Sequence, residues 1–213
     1  IDNMGKGYIH WAKVWLDDLG DSIARNLAAW THETICFEYY GSERYRFAND
    51  SSRKTGASFI CRDLLNYKHS MNFTNTNVGG WENSYMRQFT NNRIYNAFPT
   101  VWKSIIKQVQ IPTSAGGQSQ EIIASKDYIY LPSYVEISGI QTQPYGNEGS
   151  HISWFIGDAE RIKTSNGSAS GWWSRSSVVE YDRYFINTNS SGTCNNTYVM
   201  SNREDGICPC FSI

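Results

Sequence analysis

Charge is scarce in this sequence. Only 18% of its 213 residues are Asp, Glu, Lys or Arg, and 19 basic against 20 acidic side chains leave a net −1. So even a balance gives no global attraction to nucleic acid or anionic lipid, and no nucleic-acid partner is expected. Long apolar runs are missing too. None approaches the ~20 residues that cross a bilayer, so no membrane insertion is expected. Cysteine is sparse: Cys36, Cys61, Cys194, Cys208 and Cys210 are an odd set without metal-finger spacing and too few for a disulfide scaffold. At least one thiol is therefore free or pairs with another chain. The four histidines, His10, His32, His69 and His151, are scattered and none falls in a metal-binding spacing. There is no Gly-x-Ser-x-Gly elbow, no phosphate-cradling glycine loop and no calcium loop. The adjacent Asp17 and Asp18 point apart on a helix and read as a solvated edge. No catalytic residue, metal or cofactor is expected, and the opening on Ile1 reads as a processed or trimmed chain.

What is abundant is aromatic. Trp, Tyr and Phe make up 15% of the chain, with eight Trp and fourteen Tyr, and the polar remainder is largely Ser, Asn, Thr and Gly. Two readings follow. The rings are core and the small polar residues are turns, or part of the set forms a contact face of the kind antibody loops use, rigid rings beside adaptable amides and hydroxyls.

Along the chain, Tyr8, Trp11, Trp15 and Leu19 recur at three- and four-residue spacing, which predicts a helix ended by Gly20. Thr31 to Phe47 reads as a hairpin, with β-prone runs on either side of Gly41-Ser42, and Ala57 to Leu65 as a further strand. Asn83 or Ser84 suits a helix start, giving a helix to about Asn96, and Pro99 opens a second helix to Gln108 with Trp102, Ile105 and Ile106 toward the core. Tyr128 to Pro132 reads as a strand. From Ser165 onward helical periodicity vanishes. Tyr184 to Asn187 and Thr197 to Met200 form a hairpin, and Ile207 to Ile213 a last strand. The pattern is that of one α+β domain over residues 1–213 with no obvious linker.

Several ordered blocks carry a resemblance. They are Ser70-Met71-Asn72, Thr74 through Arg87, Tyr95-Asn96-Ala97-Phe98-Pro99, Ile105-Ile106-Lys107, Tyr130 through Glu136, Gly171 through Ser176, and the closing Gly206 to Ile213. From about Phe47 to Ile213 the chain resembles a domain family of unknown function common in gut bacteria and their phages. That family is similar to the C-type-lectin-like fold of formylglycine-generating enzymes and of the variable proteins of diversity-generating retroelements. The chain departs from the usual Trp-Trp-Leu-Arg-Ser-Pro block, with Ser174 in place of Leu and Ser177 in place of Pro.

The resemblance implies a C-type-lectin-like single domain, its N-terminal half made of helices packed on short antiparallel strands and its C-terminal part of β-hairpins and loops. Residues 1–164 would be scaffold and 165–213 a ligand-display region. Its frame would be Trp172, Trp173, Arg175, Ser176, Phe185, Ile186, Gly192, Gly206, Ile207, Pro209 and Phe211. Ligand-binding candidates are Ser174, Val178, Glu180, Tyr181, Asp182, Arg183, Tyr184, Asn187, Asn189, Asn195, Asn196, Tyr198, Met200, Asn202, Arg203 and Asp205. Independently of the family, Tyr181-Asp182-Arg183-Tyr184 interleaves two rings with opposite charges, a combination suited to a recognition hot spot.

The function expected from the resemblance is display of a binding face by a phage tail receptor-binding protein or bacterial surface adhesin whose C-terminal loops are diversified by a retroelement. Its partner would be a host-cell surface protein or glycan, and its place a virion or cell surface. A homo-oligomer, a trimer on such a particle, is attractive because many weak sites gain avidity. The alternatives are a fixed-specificity carbohydrate-binding module, an oxidase-like enzyme using Cys208 or Cys210, whose working species would be a partly exposed thiolate, and a purely structural virion role.

Overall fold

Residues Tyr8–Val14 pair antiparallel with Glu33–Gly41 in the computed structural model, which describes residues 8–14, 33–141, 147–194 and 197–213. These are strands β1 and β2. With β4 (Ser58–Cys61) and β14 (Cys210–Ser212) they form a sheet ordered β1-β2-β4-β14. The helix expected over Tyr8–Leu19 is therefore corrected: residues 8–14 are a strand with a bulge between His10 and Ala12, and the rest of that stretch lies outside the described residues. Strand pairing with β2 overrides the three- and four-residue spacing of Tyr and Trp, residues that are themselves β-prone.

The second sheet runs β12 (Tyr198–Met200), β11 (Tyr184–Thr188), β10 (Trp172–Ser177), β13 (Glu204–Gly206), β5 (Lys68–Ser70). β10 is central and all its residues are buried, which is why the sequence there reads as a run of rings and serines without alternation. β11 and β12 are the two antiparallel arms of the expected hairpin. A third sheet joins β3 (Arg46–Phe47), β6 (Val109–Ser114) and β7 (Ile122–Asp127), and β8 (Lys163–Ser165) pairs with β9 (Ser168–Ser170). The hairpin expected within Thr31–Phe47 does not form, since β2 and β3 belong to different sheets. Tyr128–Pro132 is not a strand either; Tyr130 makes a single bridge to Cys210.

Helices are few and short. Ser84 caps α1, residues 85–97, by accepting from the Arg87 amide at 3.0 Å, and the middle of α1, Phe89–Ile94, is wound as a π-helix. α2 (Thr100–Ile105) follows Pro99, with Ile106 buried and Ile105 exposed. α3 (Tyr134–Ser138) starts on a Ser133/Glu136 capping box and stops at Gly139 in the left-handed region. α4 (Asp158–Arg161) precedes β8. The α+β, C-type-lectin-like expectation is overturned: among the described residues the chain is β-rich and helix-poor, in several sheets, without a helical N-terminal half.

Nor is the C-terminal stretch a separate layer. β13 pairs with β5, and β14 pairs with β4 inside the sheet begun by β1. The core is continuous across this join: Phe211 stacks on Phe59 at 5.2 Å and meets Phe37 edge-on at 4.9 Å, while Trp81, Trp172 and Trp173 are fully buried. Every residue of the expected frame is buried. No helix among the described residues is long and apolar enough to cross a membrane.

Candidate functional site

Between the end of β10 and the start of β11 the chain makes a loop over residues 178–183. Val178 turns inward and is buried, while Glu180, Tyr181, Asp182 and Arg183 are exposed. The Val178 amide donates to the Tyr184 carbonyl at 2.9 Å and closes the neck of the loop. Beneath it lies Asn77, fully buried. Its side-chain amide donates to the carbonyls of Val178 (3.0 Å), Tyr181 (2.7 Å) and Tyr184 (2.9 Å). With two hydrogens for three carbonyls, at least one bond is shared. The Asn77 backbone amide donates to the Asp182 carbonyl at 2.7 Å.

The same residue ties in a second loop. Asn77 Oδ1 accepts from the Gly117 amide at 2.9 Å, and its carbonyl accepts from the Gly80 amide. Gly80 and Gly116 sit at φ +55° and +70°, and a Cβ would lie 2.0 Å from the Ser114 carbonyl oxygen at the first and 1.9 Å from the Asn77 carbonyl oxygen at the second. Only glycine permits both the turn and the approach. All of these bonds reach main chain. The path of residues 178–184 is thus fixed without using the side chains of 179–183.

A third segment completes the face. The Ser201 amide donates to the Arg183 carbonyl, the Asn72 amide to the Ser201 carbonyl, and Ser201 Oγ to the Thr74 carbonyl at 3.2 Å. These bonds place residues 72–78 and the edge strand β12 on either side of the loop. Phe73, Val78, Tyr181, Tyr198 and Met200, 70%, 62%, 52%, 37% and 37% exposed, stand on these three segments. Tyr181 and Tyr184 meet edge to face at 5.6 Å, and Asp182 and Arg183 form an exposed pair at 3.5 Å. Burial, and then the nearby Glu180 and Tyr181, push the Tyr198 phenol upward. The result is a patch of rings and apolar side chains with exposed charges of both signs, Glu180, Asp182, Arg183 and Arg203, beside it.

Not all the residues expected to bind reach this face. Glu180, Tyr181, Asp182, Arg183, Tyr198, Met200, Asn202 and Arg203 are exposed, and Tyr184 is half-buried. Four are corrected, because the structure uses them internally: Ser174 donates to the Ile186 carbonyl, Val178 packs in the core, and Asn187 donates to the buried Asp205 carboxylate at 2.9 Å. Asn189, half-buried, spends its Oδ1 on the Ser191 and Thr193 amides of its own turn. Asn195 and Asn196 lie outside the described residues. Sequence reasoning missed Phe73, Val78 and Asn77. The one signal was an apolar Phe73 isolated among Asn and Thr.

Two of the quoted motifs, Tyr130 through Glu136 and Gly171 through Ser176, meet in a buried network. Arg175, wholly buried, donates to Glu136 at 2.7 Å and to the carbonyls of Leu131, Pro112 and Glu148. Glu136 also accepts from Arg44 at 3.3 Å and from the Tyr45 hydroxyl. Burial would raise Glu136, but the two guanidinium groups prevail and hold it below the usual carboxylate range. Glu148, which accepts from the Ser114 amide at 2.6 Å and from the Ser176 hydroxyl, is pushed up by burial. Asp127 plays a similar part for the Thr74–Arg87 block, taking bonds from Trp81 Nε1 at 2.8 Å and Arg87 Nε at 2.6 Å.

The cysteine pair has the opposite character to a reactive one. Cys208 and Cys210 are buried, and burial pushes the Cys208 thiol up to about 11 and Cys210 well above its ordinary value. Among the described residues, no group of three or more His, Cys, Asp or Glu is placed to hold a metal ion. No curated protein and no solved structure matches this chain. A family model does, over residues 55–213, which span the Asn77 hub, the loop and the buried Arg175–Glu136 network, and the chain belongs to that family, the domain of unknown function DUF6273.

Proposed function

We propose that this protein is a ligand-binding display protein whose contact face is built from the loop at 178–184, the edge strand β12 and the segment 72–78. One observation carries the reading: the exposed Phe73, Val78, Tyr181, Tyr198 and Met200 stand on three adjoining segments, of which the central loop has its backbone clamped by Asn77. Rigid rings give contact area at low entropic cost, and a preorganised backbone avoids the ordering penalty of binding. The partner is a host-surface protein or glycan, and the setting a phage tail or bacterial surface.

A main-chain clamp also suits a loop whose side chains change between copies of a gene. The resemblance to variable proteins of diversity-generating retroelements fits that arrangement at the level of function, with the hypervariable positions being 180–183, 198, 200, 202 and 203. Sequencing the gene from many isolates tests this. Substitutions should concentrate in those codons and spare Asn77, Gly80, Gly116, Trp172 and Arg175; an even spread over the chain would remove the diversification reading. A fixed-specificity carbohydrate-binding module is the second reading, favoured by Phe73 lying over Tyr85 at 3.7 Å as an exposed platform. It predicts one reproducible sugar on a glycan array and an invariant loop.

A further inference from the structure

The corner where α1 meets α2 covers a concavity built from none of the residues of the loop face. Tyr95, at the end of α1, stacks on Tyr128, just after β7, with ring centroids 4.4 Å apart and planes 19° apart. Both rings, with Phe47 of β3, line a cavity of about 290 Å³. Its walls are held by main-chain amides: the Tyr128 amide donates to the side-chain Oδ1 of Asn91 at 2.7 Å and the Ala48 amide to the Gln108 carbonyl at 2.9 Å.

Lys103 and Lys107 also line the cavity, and no Asp or Glu does. Their ammonium groups reach only backbone carbonyls, those of Asn96 and Ser104, each at 3.4 Å, and neither lysine is in a salt bridge among the described residues. Two cations beside an aromatic wall, without a carboxylate to neutralise them, form a recognisable recognition chemistry. The lysines call for an anionic group, the rings for an apolar face, and the Gln108 side chain and neighbouring carbonyls for hydroxyls. A volume at the foot of the ~300–1,000 Å³ range of small-molecule pockets admits one ring and its charged substituent.

We propose that this cavity binds a single acidic sugar, a pyranose ring bearing a carboxylate, with Lys103 and Lys107 on the carboxylate and Tyr95, Tyr128 and Phe47 against the ring. The site stands apart from the loop face and does not depend on its function.

An amide-resolved NMR titration of the full chain with glucuronate, galacturonate and N-acetylneuraminate tests it. Saturable shifts are expected at the amides of Tyr95, Lys103, Lys107, Gln108 and Tyr128, in the millimolar range typical of small polar ligands. The uncharged parent sugars should give none. Lys103→Ala and Lys107→Glu change side chains that bond only to backbone carbonyls at 3.4 Å, so the fold is retained, and each should weaken binding by roughly tenfold or more. Tyr181→Ala should leave the titration unchanged. Equal shifts with neutral sugars, inorganic phosphate reproducing the full effect, benzoate binding where the sugars do not, or no shift at these amides would each overturn the proposal.

Discussion

Asn77 is a short side chain with a long reach: it meets residues about a hundred positions away and turns a solvent-facing loop into a fixed one. Removing it takes the side-chain donor from the Val178 and Tyr181 carbonyls and the acceptor from the Gly117 amide, while the Tyr184 carbonyl keeps the Val178 amide, at roughly 1–3 kcal/mol for each group left buried and unpaired. Asn77→Ala is expected to lower stability by about 2–4 kcal/mol in urea unfolding and to open residues 178–184 to proteolysis. Asn77→Asp keeps the shape but sets an acceptor against acceptors, and should be worse. Tyr181→Ala and Arg183→Ala, by contrast, change exposed side chains that hold nothing in place, and their stabilities should stay within about 0.5 kcal/mol of the parent. The exposed Asp182–Arg183 pair is worth little as a salt bridge. At this scale the sequence is half legible. Tyr181 and Arg183 stand out by type, but nothing in the string Thr74-Asn75-Thr76-Asn77 tells which amide is buried, because its partners are distant in sequence. Asn187 and Asp205 look like display residues for the same reason: a polar side chain satisfied by another polar side chain in the core reads as surface until the partner is seen.

Among the elements, the short helix α3 does more than its length suggests, because its capping Glu136 is also the counter-ion of Arg175 in the central strand β10. That couples two of the family blocks in one buried pair. Breaking such a pair from one side is costly, and Arg175→Met is expected to destabilise by about 3–5 kcal/mol, read as a fall in the urea midpoint, with Glu136 left facing Arg44 alone. The Ser-x-x-Glu spacing at 133–136 is legible as a helix start once the strand reading of the preceding residues is dropped. The segment at Tyr8–Val14 shows the limit in the other direction: aromatic spacing alone does not separate a helix face from a strand, and a long-range partner, β2, decides.

For the whole molecule, interleaving decides behaviour. Because β13 and β14 complete sheets begun earlier in the chain, the loop at 178–184 rides on the same core as the N-terminal strands and should unfold with it in one transition. The buried acids set the pH response. Glu148 and Asp205 are raised by burial, so the folded state binds more protons than the unfolded one just above the ordinary carboxylate range, and stability rises as pH falls through that window. Glu136 is lowered, and its contribution is lost only below that range. Cys208, raised to about 11 against ~8.5 for an unfolded thiol, gives stability that is intact below that unfolded value and lost as pH climbs toward the folded one. Urea midpoints should therefore peak at mildly acidic pH and fall above about pH 9, and Glu148→Gln should flatten the acid side. Cys61, Cys194, Cys208 and Cys210 should stay silent to a thiol reagent until the protein unfolds.

The face itself is tested most directly by labelling the protein and measuring its binding to a panel of bacterial cells, beside a variant in which Glu180, Tyr181, Asp182 and Arg183 are all replaced by alanine. The account predicts that the wild type adsorbs saturably to at least one strain, and that the variant melts at the same temperature yet loses at least tenfold in affinity, about 1.4 kcal/mol. A variant that folds and binds as well as the parent would contradict it.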